Sequence, residues 1–389
     1  MRVLFVNHTA QKSGAGISLT TLLRALPESV EKFFLLPADC AIADLLGAEP
    51  ARTYREPRLC QFMTTLYTPA YPAHLMAWHL AKLPLALARM RWLVRRWRID
   101  LVHVNETTLV AYALGARLAG VPALLHARTA IAPRAFERSL LQCYGGLARS
   151  RIAAIDPEVK ASLPPAARAV TEVVFNPIDL GPPPSAETIA ATRAAWGCAA
   201  GDVVVGQVAS LHAQKGIWLI LDLAEKLCAE FPNLRFVLAG DTAAAAGEGP
   251  ALAADIARRG LTGRVILPGY DARLATVYAA FDVALCLFGG ALGGVGRAAY
   301  EAALAGKPLV ATLPDPRHSE TLQHGVSGLL FTQEDRDGIA DALRGLARDP
   351  ALREKLGASA QAAIGPRHSP AAIARQITGI YEQLTHQPP

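Results

Sequence analysis

The sequence predicts an α/β protein of two Rossmann-like domains, each a doubly wound sheet of parallel strands, and three observations predict it. Short apolar runs alternate with amphipathic stretches along the whole chain, the pattern of strand-helix-strand units whose strands are buried on both faces. The length of 389 residues exceeds what one hydrophobic core ordinarily organises. Near the middle, Asn176-Pro-Ile-Asp179 runs into Gly181-Pro-Pro-Pro184, where consecutive prolines continue neither a helix nor a central strand and favour an extended connector.

That connector sets a first domain over 1–180 and a second over 181–369. In the first, strands are expected at Arg2–Asn7, Phe33–Leu36, Leu101–Val104, Ala123–His126, Arg151–Ile155 and Val173–Phe175, with helices between them. In the second they are expected at Val203–Val208, Arg235–Ala239, Arg264–Leu267, Val283–Leu287, Pro308–Thr312 and Gly328–Phe331. Open sheets of this kind bind ligands outside the carboxyl ends of their strands, so the cleft of such a pair is the expected site.

A hydrophobic fraction of 52% with 19% charged residues excludes a disordered chain. The six cysteines, Cys40, Cys60, Cys143, Cys198, Cys228 and Cys286, form no C-x-x-C pair, which argues against zinc and for a reducing compartment. The apolar run Val3–Val6 is too short for a signal peptide and reads as a first buried strand; a cytoplasmic protein is expected. The net charge of +6 is concentrated where Arg89, Arg91, Arg95, Arg96 and Arg98 interleave with Trp92 and Trp97. Upstream, Leu59–Ala81 carries no formal charge, but Pro69 and Pro72 argue against a spanning helix. Two readings stand for Arg89–Arg98: peripheral contact with an anionic membrane, at its inner face, or a solvated basic helix with its tryptophans packed inward. No nucleic-acid-binding motif accompanies the stretch, and no nucleic-acid partner is expected.

The chemistry concentrates in Gly289-Gly-Ala-Leu-Gly-Gly-Val-Gly296-Arg-Ala-Ala-Tyr-Glu301, a glycine-rich loop running from a strand into a helix. Glycines let backbone approach a ligand closely, and the uncapped amides of a helix start, with the positive dipole end, suit a phosphate or sugar hydroxyls. Glu301 falls about one turn into that helix, where a carboxylate can accept two hydroxyl hydrogen bonds, the geometry of a ribose diol. Near the start, Ser13-Gly-Ala-Gly16 follows the first strand as G-x-G without a third glycine, which argues against a nicotinamide site and leaves a phosphate loop or a plain turn.

The run Glu301-Ala-Ala-Leu-Ala-Gly-Lys-Pro-Leu-Val-Ala-Thr312, followed by Glu320 and Gly325-Val-Ser-Gly-Leu-Leu330, resembles the donor-binding region of glycosyltransferase family 4. Leu211-His-Ala-Gln-Lys215-Gly216, Val237–Asp241, Asp100–His103, Gly120–Pro122, His126-Ala-Arg128 and Asn176–Asp179 resemble further landmarks of that family, so nearly the whole chain is covered. The resemblance implies the GT-B fold, two Rossmann-like domains with parallel sheets facing across a cleft. It also implies a C-terminal helix, over about 370–385, crossing back to the first domain.

Carried over residue by residue, the resemblance implies that Lys215 contacts the donor pyrophosphate, that Glu301 holds the ribose, and that the Gly294, Val295 and Gly296 amides face sugar or phosphate. Gly14 and Gly16 reach toward the donor phosphates, and Arg297 adds a cation. His126, at a strand end on the cleft edge, lies beside the transferring sugar with Arg128 on the same loop; His126, Lys215 and Arg128 are the catalytic candidates. Two positions depart from the family. Gly293 stands where a first glutamate is usual, and Ser210 where an arginine usually binds pyrophosphate; a serine hydroxyl still donates a hydrogen bond, and Arg297, Arg128 or helix amides can compensate.

The expected function is a retaining, metal-independent glycosyltransferase, without cofactor, that uses a nucleotide-diphosphate sugar, UDP-sugar favoured over GDP-sugar. The acceptor is a glycan, a lipid-linked or another acceptor, in bacterial-type polysaccharide or glycoconjugate synthesis. Two alternatives remain open: a catalytically idle sugar-nucleotide-binding protein, motivated by Gly293 and Ser210, and a sugar-nucleotide epimerase of the same fold.

Overall fold

The computed structural model describes residues 1–8, 14–40, 42, 46, 52–62, 72–132, 136–241, 248–288, 296–316, 319 and 321–386. The chain divides into two compact units, Met1–Ile178 with Arg367–Pro389, and Asp179–Pro366.

The sheet of the first unit contains β1 (Arg2–Val6), β2 (Glu31–Pro37), β3 (Thr53–Glu56), β4 (Leu101–Val104), β5 (Ala123–Ala127), β6 (Ser150–Ala154) and β7 (Thr171–Val173). They lie in the order β3-β2-β1-β4-β5-β6-β7, every pairing parallel. Successive side chains of a strand point to opposite faces, and both faces here are apolar. Leu4, Val6, Val102, Val104 and Leu125 pack with Met90, Leu93 and Tyr112 on one side. Val3, Phe5, Leu101, Leu124 and Ala153 pack on the other with Leu19 and Leu22 of the helix Gly14–Ala25 and with Ile373, Ile377, Ile380, Tyr381 and Leu384 of the helix Pro370–His386. Each fully buried leucine, isoleucine or phenylalanine contributes about 1.5–3 kcal/mol, so the terminal helix is an integral layer of this unit.

The second unit holds β8 (Val203–Val208), β9 (Leu234–Ala239), β10 (Val265–Gly269), β11 (Val283–Cys286), β12 (Leu309–Thr312) and β13 (Leu329–Phe331). Their order is β10-β9-β8-β11-β12-β13, again parallel throughout. In each sheet the chain starts centrally and reverses direction once, between β1 and β4 and between β8 and β11. Ligands of doubly wound sheets bind at the carboxyl ends of such switch-point strands.

Two elements differ from expectation. β3, Thr53-Tyr-Arg-Glu56, is a half-buried edge strand with no apolar run to announce it. The expected strand at Val173–Phe175 begins instead at Thr171, because Thr171–Val173 is in register with Ile152–Ala154 of β6. A helix begins directly after Pro72 and continues from Ala73 to Trp97 through Pro84, which is exposed. Among the described residues no helix is long and apolar enough to cross a membrane.

Candidate functional site

In the second unit the chain leaves β8, passes the exposed Ser210 and enters the short turn Ala213–Lys215. Gly216 follows at φ 67°, and a Cβ on it would stand 2.5 Å from the Leu287 carbonyl oxygen; backbone conformation and space both require glycine. The turn is thereby seated against the end of β11. Gln207 ties the same parts together, its Nε2 donating to the Lys215 carbonyl at 2.6 Å and its Oε1 accepting from the Leu287 amide at 2.9 Å.

Lys215 Nζ lies 4.6 Å from the centre of the Phe288 ring. Burial lowers its pKa, and the neighbouring Cys286 offers no counter-charge, since its own burial pushes that thiol up to about 12. Among the described residues no carboxylate pairs with Lys215. A half-buried ammonium without a counter-ion has lost hydration that an anion can replace. Phe288 is fixed by its amide, which donates to Thr312 Oγ1 at 2.7 Å. Its ring packs against Gly296, the residue before the helix Arg297–Leu304, where a Cβ would fall 2.4 Å from Phe288 Cζ.

Glu301, one turn into that helix, is 4% exposed. Its Oε1 accepts from Arg297 Nε at 2.6 Å and its Oε2 lies 3.0 Å from the Tyr278 hydroxyl. A carboxylate has about four acceptor positions, so two such bonds orient the group and leave acceptor capacity for ligand hydroxyls. Gly293, Gly294 and Val295 lie outside the described residues, as do Ser13 and Glu320.

In the first unit, Asn7 and Asn105 follow β1 and β4 at the switch point. Asn105 Nδ2 donates to Asn7 Oδ1 at 2.9 Å and lies 3.5 Å from the Ala15 carbonyl, in the first turn of the helix that contains Gly14 and Gly16. Arg128, just past β5 and 8% exposed, donates through Nε to Asn105 Oδ1 at 2.8 Å and through Nη1 to Asn176 Oδ1 at 2.6 Å. Glu106 fixes the same loop by accepting from the Arg128 amide at 3.3 Å and the Thr129 hydroxyl at 3.2 Å. His126, expected at a strand end on the cleft edge, is the penultimate residue of β5 and has no exposed surface. Burial, then the nearby Arg128 charge, holds its pKa well below the usual histidine range, so it is neutral.

Sequence reasoning missed Gln207, Phe288, Tyr278, Asn7, Asn105 and His103. Gln207 carried a signal, a polar side chain inside the apolar run Val203–Val208. Among the described residues no group of three or more His, Cys, Asp or Glu side chains is placed to hold a metal ion.

Two parallel, doubly wound sheets define an α/β protein, with Lys215 in the turn after the switch-point strand β8 and Arg128 just past β5. Residues 189–363 match the family described as glycosyl transferases group 1. Alpha-D-kanosaminyltransferase of Streptomyces kanamyceticus is 26% identical over 181 residues, 46% of this chain and 46% of that protein, so the match spans just under half of the relative's length. The crystal structure of Anabaena HepE in complex with UDP superposes with a TM-score of 0.78 at 23% identity, covering 98% of this chain and 100% of that one. HepE is also known in complex with UDP-glucose. Sucrose-phosphate synthase of Thermosynechococcus elongatus superposes with a TM-score of 0.70 at 17% identity over 99% of both chains. The fold is GT-B.

Proposed function

We propose that this chain is a retaining glycosyltransferase of family 4 that takes its sugar from a nucleotide diphosphate, UDP in preference to GDP, without a bound divalent metal. The observation that carries the reading is Lys215: a half-buried ammonium with no counter-charge among the described residues, held at a switch point beside a glycine-started helix whose first turn ends in an oriented carboxylate. In this role Lys215 stabilises the charge that grows on the departing diphosphate, and Glu301 accepts from the ribose hydroxyls. The second unit is the donor-binding domain and the first unit, with Arg128 and His126, the acceptor-binding domain. The UDP complexes of HepE support the choice of nucleotide.

A glycan or lipid-linked acceptor at the inner face of a membrane fits the outer surface of the helix Ala73–Trp97. Leu80, Leu85 and Trp92 are 40%, 55% and 48% exposed there, beside exposed Arg91, Arg95 and Arg96, and the helix contains no acidic residue. Arg89 belongs inside instead, since it pairs with Glu56 at 3.4 Å and lies 4.9 Å over the Tyr54 ring. Trp97 packs inward against Phe33 at 5.4 Å, whereas Trp92 faces outward.

The test is a nucleotide panel. UDP and UDP-sugars raise the melting temperature more than GDP and GDP-sugars, and Lys215→Ala removes the shift, because a ligand selective for the native state stabilises it. Transfer then proceeds in the presence of a chelator. Stabilisation by no nucleotide diphosphate, or turnover lost on chelation, overturns the reading; stabilisation without transfer to any acceptor favours the idle binding protein that Ser210 and Gly293 motivate.

A further inference from the structure

Two buried histidines join the C-terminal helix to the arginine of the first-unit site. The Tyr381 hydroxyl lies 2.5 Å from His103 Nδ1, His103 Nε2 lies 3.3 Å from His126 Nδ1, and Arg128 Nη2 lies 3.3 Å from that same nitrogen. Tyr381, His103 and His126 have no exposed surface.

The arginine sets every proton in the row. A guanidinium only donates, so His126 Nδ1 accepts and carries no proton. His103 Nε2, which faces it, is then the donor of that pair. Both rings are neutral: burial first, and the Arg128 charge second, hold His103 down to about 3 and His126 well below its ordinary value. A neutral His103 with its proton on Nε2 has an acceptor at Nδ1, and Tyr381 donates to it. A neutral His126 with a bare Nδ1 carries its proton on Nε2, and that buried nitrogen has no hydrogen-bond partner among the described residues. An unpartnered buried donor is uncommon in native proteins, and its bonding is completed by a water, an ion or a ligand atom.

We propose that Tyr381 and His103 are positioning residues that lock His126 in its Nε2–H tautomer, so that His126 serves as a hydrogen-bond donor to a sugar oxygen and never as a proton-accepting base. The sugar oxygen rests on the transferase reading; the proton arrangement does not. The C-terminal helix thereby becomes part of the first-unit site, through a residue 278 positions along the chain from the histidine it orients.

The experiment is a two-bond proton-nitrogen NMR spectrum of the full chain, ligand-free and near neutral pH, with histidine side chains labelled and His126 assigned by its loss in His126→Gln. We expect an unprotonated Nδ1 and a protonated Nε2 on His126. In Tyr381→Phe, His103 averages between tautomers, and kcat with UDP-glucose falls about 3- to 10-fold, the worth of one neutral hydrogen bond, while UDP affinity is unchanged. His103→Gln, whose carbonyl accepts from Tyr381 and whose amide donates to His126, retains turnover that His103→Phe loses. A wild-type His126 with its proton on Nδ1, or charged, overturns the proposal, as does a Tyr381→Phe protein with unaltered His103 signals. The expected spectra in a chain that turns over no nucleotide sugar sink the transferase reading and support the tautomer lock.

Discussion

The Lys215 ammonium stands 4.6 Å from the centre of the Phe288 ring, and that ring closes on Gly296 at the start of the next helix. A cation over an aromatic face gains about 0.5–2 kcal/mol, which is small beside the hydration a half-buried charge gives up. The deficit predicts an asymmetry. Lys215→Met lowers kcat/KM for the nucleotide sugar by about 10- to 100-fold, the worth of one charge-assisted hydrogen bond. In the free protein the same change leaves the urea midpoint unchanged or raised. Lys226→Met, at an exposed lysine paired with Asp337, changes neither; a large loss of native stability in Lys215→Met would mean that the ammonium is satisfied internally.

Gly296 tests the edge of the same ring. Its φ of −62° is open to any residue, so the demand for glycine comes from the 2.4 Å approach to Phe288 Cζ. Gly296→Ala displaces the ring from its place beside Lys215 and weakens UDP binding about tenfold. Overpacking of this kind costs about 1–3 kcal/mol of stability. Phe288→Leu combined with Gly296→Ala restores stability, because the obstructing ring edge is gone. Isothermal titration and urea unfolding of the three variants check this; a single alanine variant with native affinity would show that the ring moves freely.

The fold was readable because strands buried on both faces leave continuous apolar runs, as Val3–Val6, Leu101–Val104 and Val283–Cys286 do. Tyr54 and Arg55 hid β3 because an edge strand needs no such run. In the second unit, Gly296 and Glu301 lie five residues apart where a strand-to-helix loop opens a helix, so their sequence pattern drew attention to them, whereas Lys215 and Gly216 were singled out by their resemblance to a family motif. The first unit is different. His126 looks like a strand-end residue, and only the tertiary fold shows that His103, itself held by Tyr381, packs against it. Arg89 is one of five arginines within ten residues of sequence, and Glu56, which withdraws it from the surface set, comes from a strand that pattern alone does not reveal.

The histidine pair predicts acid sensitivity with a definite sign. His103 is held at about 3 in the folded state against 6.5 when unfolded, and the His126 value is also lowered. The unfolded chain therefore binds more protons at acid pH. The stabilisation from keeping His103 neutral is complete above about 6.5 and is lost progressively as pH falls toward 3. His103 contributes a slope of about 1.4 kcal/mol per pH unit in that window, and His126 acts in the same direction. Unfolding midpoints of wild type and His103→Gln, measured from neutral pH downward, should converge in acid; parallel curves would mean that His103 is accessible to protons in the native state.

The outer face of the helix Ala73–Trp97 makes the last prediction. Leu80, Leu85 and Trp92 are too exposed to contribute to the core, and Arg91, Arg95 and Arg96 have no acidic neighbour on their own helix. Each arginine near an anionic surface contributes about 1 kcal/mol, so replacing these three by glutamine weakens binding to phosphatidylglycerol vesicles by roughly 100-fold. Arg89→Gln does not have this effect, since its partner is Glu56, although it loosens β3. Leu85→Ser and Trp92→Ser weaken binding at high salt as well, because burial of apolar surface is not screened. Vesicle co-sedimentation across a salt series separates the two contributions. Equal sedimentation with neutral and anionic vesicles removes the electrostatic part, and no sedimentation with either leaves this face to solvent or a protein partner.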